Sequence, residues 1–167
     1  MSKPADEPPL SALRSQSDVQ TALRWAVQYA LNTRSRRLLW LDPDFSAWPL
    51  DDPALLDGLT AWLRLPQRRL VLLAHQFGAV ERLHPRFVAW RRTWSHVVDA
   101  WTPSEGIAVK LPSLLIDDQR LCLQVFDTAQ WRGRLSLDER AVHQWHDEID
   151  ALLQRCEAAF PVRPLGL

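Results

Sequence analysis

Apolar positions along the chain fall into two alternating patterns. Val19, Leu23, Ala26, Val27 and Ala30 recur at helical spacing, which predicts a first helix. Ser17, with Gln20 three residues later, has the form of a capping box that opens it. "RRLLWL" (Arg36–Leu41) is a short apolar run ending at Asp42-Pro43-Asp44, the pattern of a buried strand. "DDPALLDGLTAWLRL" predicts a helix capped by Asp52, with Pro53 in its first turn. "RRLVLLA" (Arg68–Ala74) repeats the first strand's pattern. Leu83, Phe87, Trp90 and Trp94 lie on one stripe of a helix predicted over 79–94, and "SHVVDAW" predicts a third strand.

The alternation then stops. "SLLID" and "RLCLQVF" are separated by so few residues that only an antiparallel pair can form. A last helix is predicted over 137–158, with Val142, Trp145, Ile149, Leu152, Leu153 and Cys156 as its apolar stripe and Pro161 and Pro164 beyond it. The fold class is therefore α/β. The expected architecture is a mostly parallel mixed sheet with a late antiparallel strand pair and helices on both faces, in the order β-α-β-α-β-β-β-α after an N-terminal helix. Residues 1–16, with three prolines and mixed charge, are expected to be a mobile tail. Residues 17–160 form a single domain on this reading, and 161–167 a C-terminal tail.

Composition narrows the class. Of 167 residues, 47% are apolar and 24% charged, as in globular proteins, and 20 basic residues balance 20 acidic ones. A neutral chain has no general pull toward polyanions, so nucleic acid is not an expected partner. No apolar run is long enough for a transmembrane helix and the N-terminus has no signal-peptide pattern, so no membrane association is expected and the expected setting is cytoplasmic. Cys122 and Cys156 have no metal-knuckle or redox spacing and read as buried free thiols. Of the nine tryptophans, Trp25 and Trp48 fall off the predicted core faces and are candidates for an interface.

Candidate chemistry collects where parallel strands end, since ligands bind there in open α/β sheets. Asp42 and Asp44 end the first strand, and His75 and Gln76 the second. Carboxylates beside an imidazole can form an acid–base pair. The same residues also suit a turn and a strand end. Arg82, Arg86 and Arg92, off the apolar stripe of their helix, form a candidate basic face. His143 and Asp147, and His146 and Asp150, are four apart, the spacing of solvated pairs on a helix surface. Five glycines make no phosphate-binding loop. No cofactor and no metal are expected.

Two resemblances bear on function. "LLWLDPDFS" is similar to the first motif of haloacid dehalogenase-type phosphohydrolases, which implies Asp42 as nucleophile and Asp44 as acid–base, with "IDDQ" in the place of the later acidic pair. Ser46 stands one place too late for that motif, and "LLAHQ" lacks its phosphate-binding hydroxyl. The order of elements over 18–158 resembles one half of the phospholipase D superfamily, whose signature is H-x-K-x-x-x-x-D. It is most similar to bacterial domains of unknown function, some of them appended to GNAT-type acetyltransferase domains. In "KLPSLLID" only Asp117 matches; Lys110 stands at the nucleophilic His position and Pro112 at the Lys position. Lysine cannot form the phosphohistidine and proline carries no charge.

The phospholipase D resemblance implies a non-catalytic interaction or ligand-binding module, in which Lys110 and Asp117 join the strand-end residues Asp42, Asp44, His75 and Gln76 as candidate ligand contacts. It also implies a homodimer, since active members pack two halves about a two-fold axis; a protein partner is the other expectation. The alternative function is a phosphohydrolase using Asp42, Asp44 and His75.

Overall fold

The computed structural model describes residues 7–162. Parts of both expected tails, 1–6 and 163–167, lie outside the described residues. The elements are β1 (Ala12–Leu13), α1 (Gln16–Asn32), β2 (Arg37–Leu41), α2 (Pro53–Leu63), β3 (Arg69–Leu73), α3 (Gly78–Leu83), α4 (Pro85–Thr93), β4 (Val98–Pro103), β5 (Ser113–Ile116), β6 (Leu121–Asp127), β7 (Arg132–Leu137), α5 (Glu139–Leu153) and β8 (Cys156–Ala158). The strands make one sheet in the order β1-β7-β6-β5-β2-β3-β4-β8. β2, β3 and β4 are parallel, and every other pairing is antiparallel.

Helices cover both faces, as the alternation of strand and helix requires. On one face, Leu38, Trp40, Leu70, Leu72, Leu115 and Leu123 pack with the buried stripes of α1 and α2 and with Phe87 of α4. On the other, Leu39, Leu41, Val71, Leu73, Leu114 and Ile116 meet Val142 and Ile149 of α5. The central strands are therefore apolar at every position after the first, because alternate residues enter two different cores.

Several boundaries differ from the sequence expectation. The first helix is capped by Ser15, whose hydroxyl accepts from the Asp18 N–H at 3.1 Å, while Asp18 accepts from the Arg14 N–H at 2.9 Å. Capping thus occurs two residues upstream of Ser17 and Gln20, where Ser15 and Asp18 have the same spacing. Ala12–Leu13, inside the expected tail, pair with β7, and Leu13 is buried. The helix expected over 79–94 breaks at His84, because Pro85 has no N–H to continue the ladder and suits a first turn. Leu83 is consequently thrown out of the apolar stripe and stands 51% exposed. The last helix ends at Leu153, so Cys156 belongs to β8 and pairs with Pro103. Strand β7 was not expected, although Arg132–Leu137 alternates in the manner of a half-buried strand. Trp48 is buried core, not an interface residue, while Trp25 is partly buried and stacks on Tyr29.

Cys122 is buried and its thiol is pushed up to about 11, chiefly by burial; burial also raises Cys156. No helix among the described residues is long and apolar enough to cross a membrane.

Asp52 joins α2 to α1. Its carboxylate caps α2 through the Ala54 N–H and accepts from Arg24 Nε and Nη2 at 2.6 and 2.8 Å. The hydrogen bonds from Arg24 hold the Asp52 carboxyl below its ordinary range, against the opposing effect of burial. A depressed folded pKa stabilises the fold fully above the unfolded carboxylate value of about 3.9 and is lost as pH falls through the folded value. Urea midpoints measured across pH should therefore show Arg24→Ala less stable than wild type at neutral pH, with the gap closing below about pH 4. A gap independent of pH would refute the coupling.

Candidate functional site

Parallel registry brings four of the expected residues to one end of the sheet. Leu41 is opposite Leu73, so Asp42 and Asp44 leave β2 beside His75 and Gln76 leaving β3. The His75 N–H donates to the Pro43 carbonyl at 3.0 Å, and the Thr102 hydroxyl donates to the His75 carbonyl at 3.0 Å. Backbone contacts thus hold the three strand ends together, while the side chains of His75 and Gln76 are exposed.

Asp42 faces inward. One carboxylate oxygen accepts from the Asp44 and Phe45 N–H groups at 3.1 and 2.7 Å. The other accepts from Trp48 Nε1 at 2.9 Å and from the Ser113 hydroxyl. Buried and holding four donors, Asp42 forms an Asx-type turn in which Phe45 takes a φ of 58°. Asp44 is half-buried and accepts from the Ser46 N–H and hydroxyl at 3.0 and 2.8 Å. The pair is a built turn, with the first carboxylate turned away from solvent.

Asp117 lies at the opposite end. β5 runs antiparallel to β2, so Asp117, four residues on from Ser113, sits beside the start of β2, about 13 Å along the strand from Ser113. The Asp117 carboxylate is fully buried. It accepts from the Ser35 hydroxyl at 2.7 Å and from the Gln119 and Leu121 N–H groups at 2.9 Å each. His146 Nε2 donates to the Asp117 carbonyl at 2.7 Å, since a carbonyl can only accept. The expected pairing of His146 with Asp150 therefore gives way to this bond, and Asp150 meets Arg37 at 3.3 Å instead. His143 and Asp147 do stand 3.9 Å apart on the surface.

Lys110 and Pro112 line a cavity of about 370 Å³ between α5 and the loop leading into β5. Its walls include Leu41, Leu111, Ile149 and Leu152, with Trp145 and Glu148 also contributing. This cavity is on the α5 face of the sheet, whereas the Asp42 carboxylate points to Trp48 on the other face. The six expected ligand contacts thus do not share one cleft. Trp145, Ile149 and Leu152 belong to the apolar stripe expected for the last helix, but which strand-end loop that stripe meets is not marked in its sequence. A second, open groove of about 1340 Å³ lies at the Asp117 end, lined by Arg37, Asp118, Arg120, Asp138, Arg140 and His143 among others. Much of its charge serves the fold: Asp138 caps α5, Asp118 accepts from the Arg36 N–H and Arg120 donates to the Tyr29 hydroxyl.

On the expected basic face, Arg82 and Arg86 are exposed. Arg92 is half-buried beside a separate small cavity shared with Arg91 and Phe160. Arg91 is buried, its pKa lowered by burial; it donates to the Phe160 carbonyl and lies 4.7 Å over that ring.

No family model matches the chain, and no curated protein matches its sequence. Solved structures do match. One is TrmBL2, an archaeal chromatin protein whose structure shows a novel mode of DNA binding, at TM-score 0.60 and 11% identity over 92% of this chain. Another is phosphatidylserine synthase of Haemophilus influenzae Rd KW20, at TM-score 0.57 and 14% identity over 85% of this chain. The chain thus has a mixed α/β fold similar to that of phosphatidylserine synthase, a member of the phospholipase D-like superfamily. The chain spans 56% of the first of these structures and 37% of the second. The chromatin protein also overturns the expectation against nucleic acid. A protein that contains this fold has a described mode of DNA binding, so balanced overall charge does not exclude that class of partner.

Both buried carboxylates act as anchors, and their removal strands hydrogen-bond donors in the core. Asp42→Ala and Asp117→Ala are each expected to cost about 2–4 kcal/mol in chemical denaturation. Because they lie at opposite ends of β5, the double variant should lose close to the sum. A loss under about 0.5 kcal/mol for either would show that its bonds do not hold the fold.

Proposed function

We propose that this chain is a binding module on the phospholipase D-like fold that has lost the superfamily's hydrolytic chemistry. The observation that carries this reading is the cavity at Lys110 and Pro112, the positions aligned with the family's His and Lys. Apolar walls and a lysine offer neither an imidazole nucleophile nor a paired phosphate contact. The matching acid, Asp117, is buried at the far end of β5 and already accepts three hydrogen bonds. The phosphohydrolase alternative asks Asp42 to attack phosphorus while four donors hold it. A nucleophile needs a lone pair free to meet the substrate.

Wild-type protein should show no turnover above buffer with p-nitrophenyl phosphate or bis(p-nitrophenyl) phosphate, with or without Mg²⁺. Turnover that disappears in Asp42→Asn, with circular dichroism showing the variant still folded at the assay temperature, would overturn the non-catalytic reading.

A second reading, DNA binding, is favoured by the likeness to the chromatin protein. Exposed Arg82 and Arg86 are the phosphate contacts it would use. Each phosphate neutralised contributes about 0.9 to the slope of log affinity against log salt. Fluorescence anisotropy with a labelled duplex should therefore give a slope smaller by about two in the Arg82→Ala/Arg86→Ala double variant. An unchanged slope would exclude this face.

A further inference from the structure

We infer that the cavity between α5 and the β4–β5 loop takes a small zwitterion with an apolar body, the form presented by an apolar amino acid. The inference rests on reading the chain as a binding module. At about 370 Å³ the cavity lies within the range of small-molecule sites, roughly 300–1,000 Å³. Trp145, Ile149 and Leu152 recur at i, i+4 and i+7, so one stripe of α5 forms an apolar wall opposite Leu41 and Leu111.

Two charged side chains line this cavity, and they differ in sign. Lys110 supplies an ammonium with three donors, and Glu148 a carboxylate that only accepts. Both are exposed. Neither has an ion-pair partner among the described residues, and they are not paired with each other. A ligand bearing one charge would satisfy one of them and face a like charge in the other. A ligand bearing a carboxylate and an ammonium on one carbon offers a counter-charge to each, and its side chain fills the apolar interior.

Isothermal titration calorimetry with L-phenylalanine and L-leucine tests this directly. Both should bind. 3-Phenylpropionate, which lacks the amine, and phenethylamine, which lacks the carboxylate, should each bind at least about ten-fold more weakly. Lys110→Gln and Glu148→Gln should each weaken L-phenylalanine by a similar factor; both side chains are exposed, so an unchanged melting temperature will verify the fold. Ile149→Trp, which fills the cavity, should abolish the heat. Absence of heat with both amino acids overturns the inference, as does equal binding of either single-charge analogue or an unchanged dissociation constant in both charge variants. Phosphodiester turnover would refute the binding-module reading by a separate measurement, whereas flat calorimetry in an inactive chain refutes only the ligand class.

Discussion

Strand β2 is the seam between the parallel and antiparallel halves of the sheet, and its pairing with β5 is tied at both ends by a buried carboxylate. Asp42, leaving β2, accepts from the Ser113 hydroxyl at the start of β5. Asp117, leaving β5, accepts from the Ser35 hydroxyl just before β2. Burying an ionised carboxylate is costly unless it is fully hydrogen-bonded, and charge-assisted bonds are the strong ones. Here seven donors meet the two groups. A slip of one residue between β2 and β5 would break both ties at once and would turn Leu39 and Leu41 away from the α5 core.

That constraint also limits chemistry. The residues that look most like catalytic acids in this chain are the ones that hold its central strands together. Their donors come from turn backbone, Ser35, Ser113 and Trp48, all of them local to the strand ends. One cavity open to solvent on the α5 side has apolar walls and two charges of opposite sign without ion-pair partners among the described residues. The same sheet thus separates a structural polar network on one face from an apolar-walled cavity on the other.

Much of the fold was legible from periodicity. Continuous apolar runs in β2 and β3 marked strands buried on both faces, and the short link between β5 and β6 permitted only an antiparallel pair. Pro53 and Asp52 opened α2 as their chemistry requires. The errors came where a local signal had a competitor. Pro85 was present in the sequence but was overridden by an apolar stripe that continued past it. Arg132–Leu137 alternates plainly, yet two arginines and a glycine disguised a strand whose outer face meets solvent. Strands β1 and β8 are two and three residues long, and they exist only because β7 and β4 offer them an open edge.

The candidate site divides in the same way. Sequence alone placed Asp42, Asp44, His75 and Gln76 at adjacent strand ends, because parallel connections force that arrangement. The spacing to Asp117 also set Lys110 and Pro112 against the His and Lys of the phospholipase D signature that "KLPSLLID" resembles, because spacing is one-dimensional information. Only the tertiary structure decided which face each side chain uses and which charges are already taken. Asp42 and Lys110 come to the same end of the sheet but to opposite faces, and Asp117 goes to the far end, because β5 runs against β2. Trp145, Glu148 and Ile149 join Lys110 through the docking of α5, a contact between segments more than thirty residues apart in the chain. Such contacts are set by packing and strand direction, which no local pattern of residues encodes.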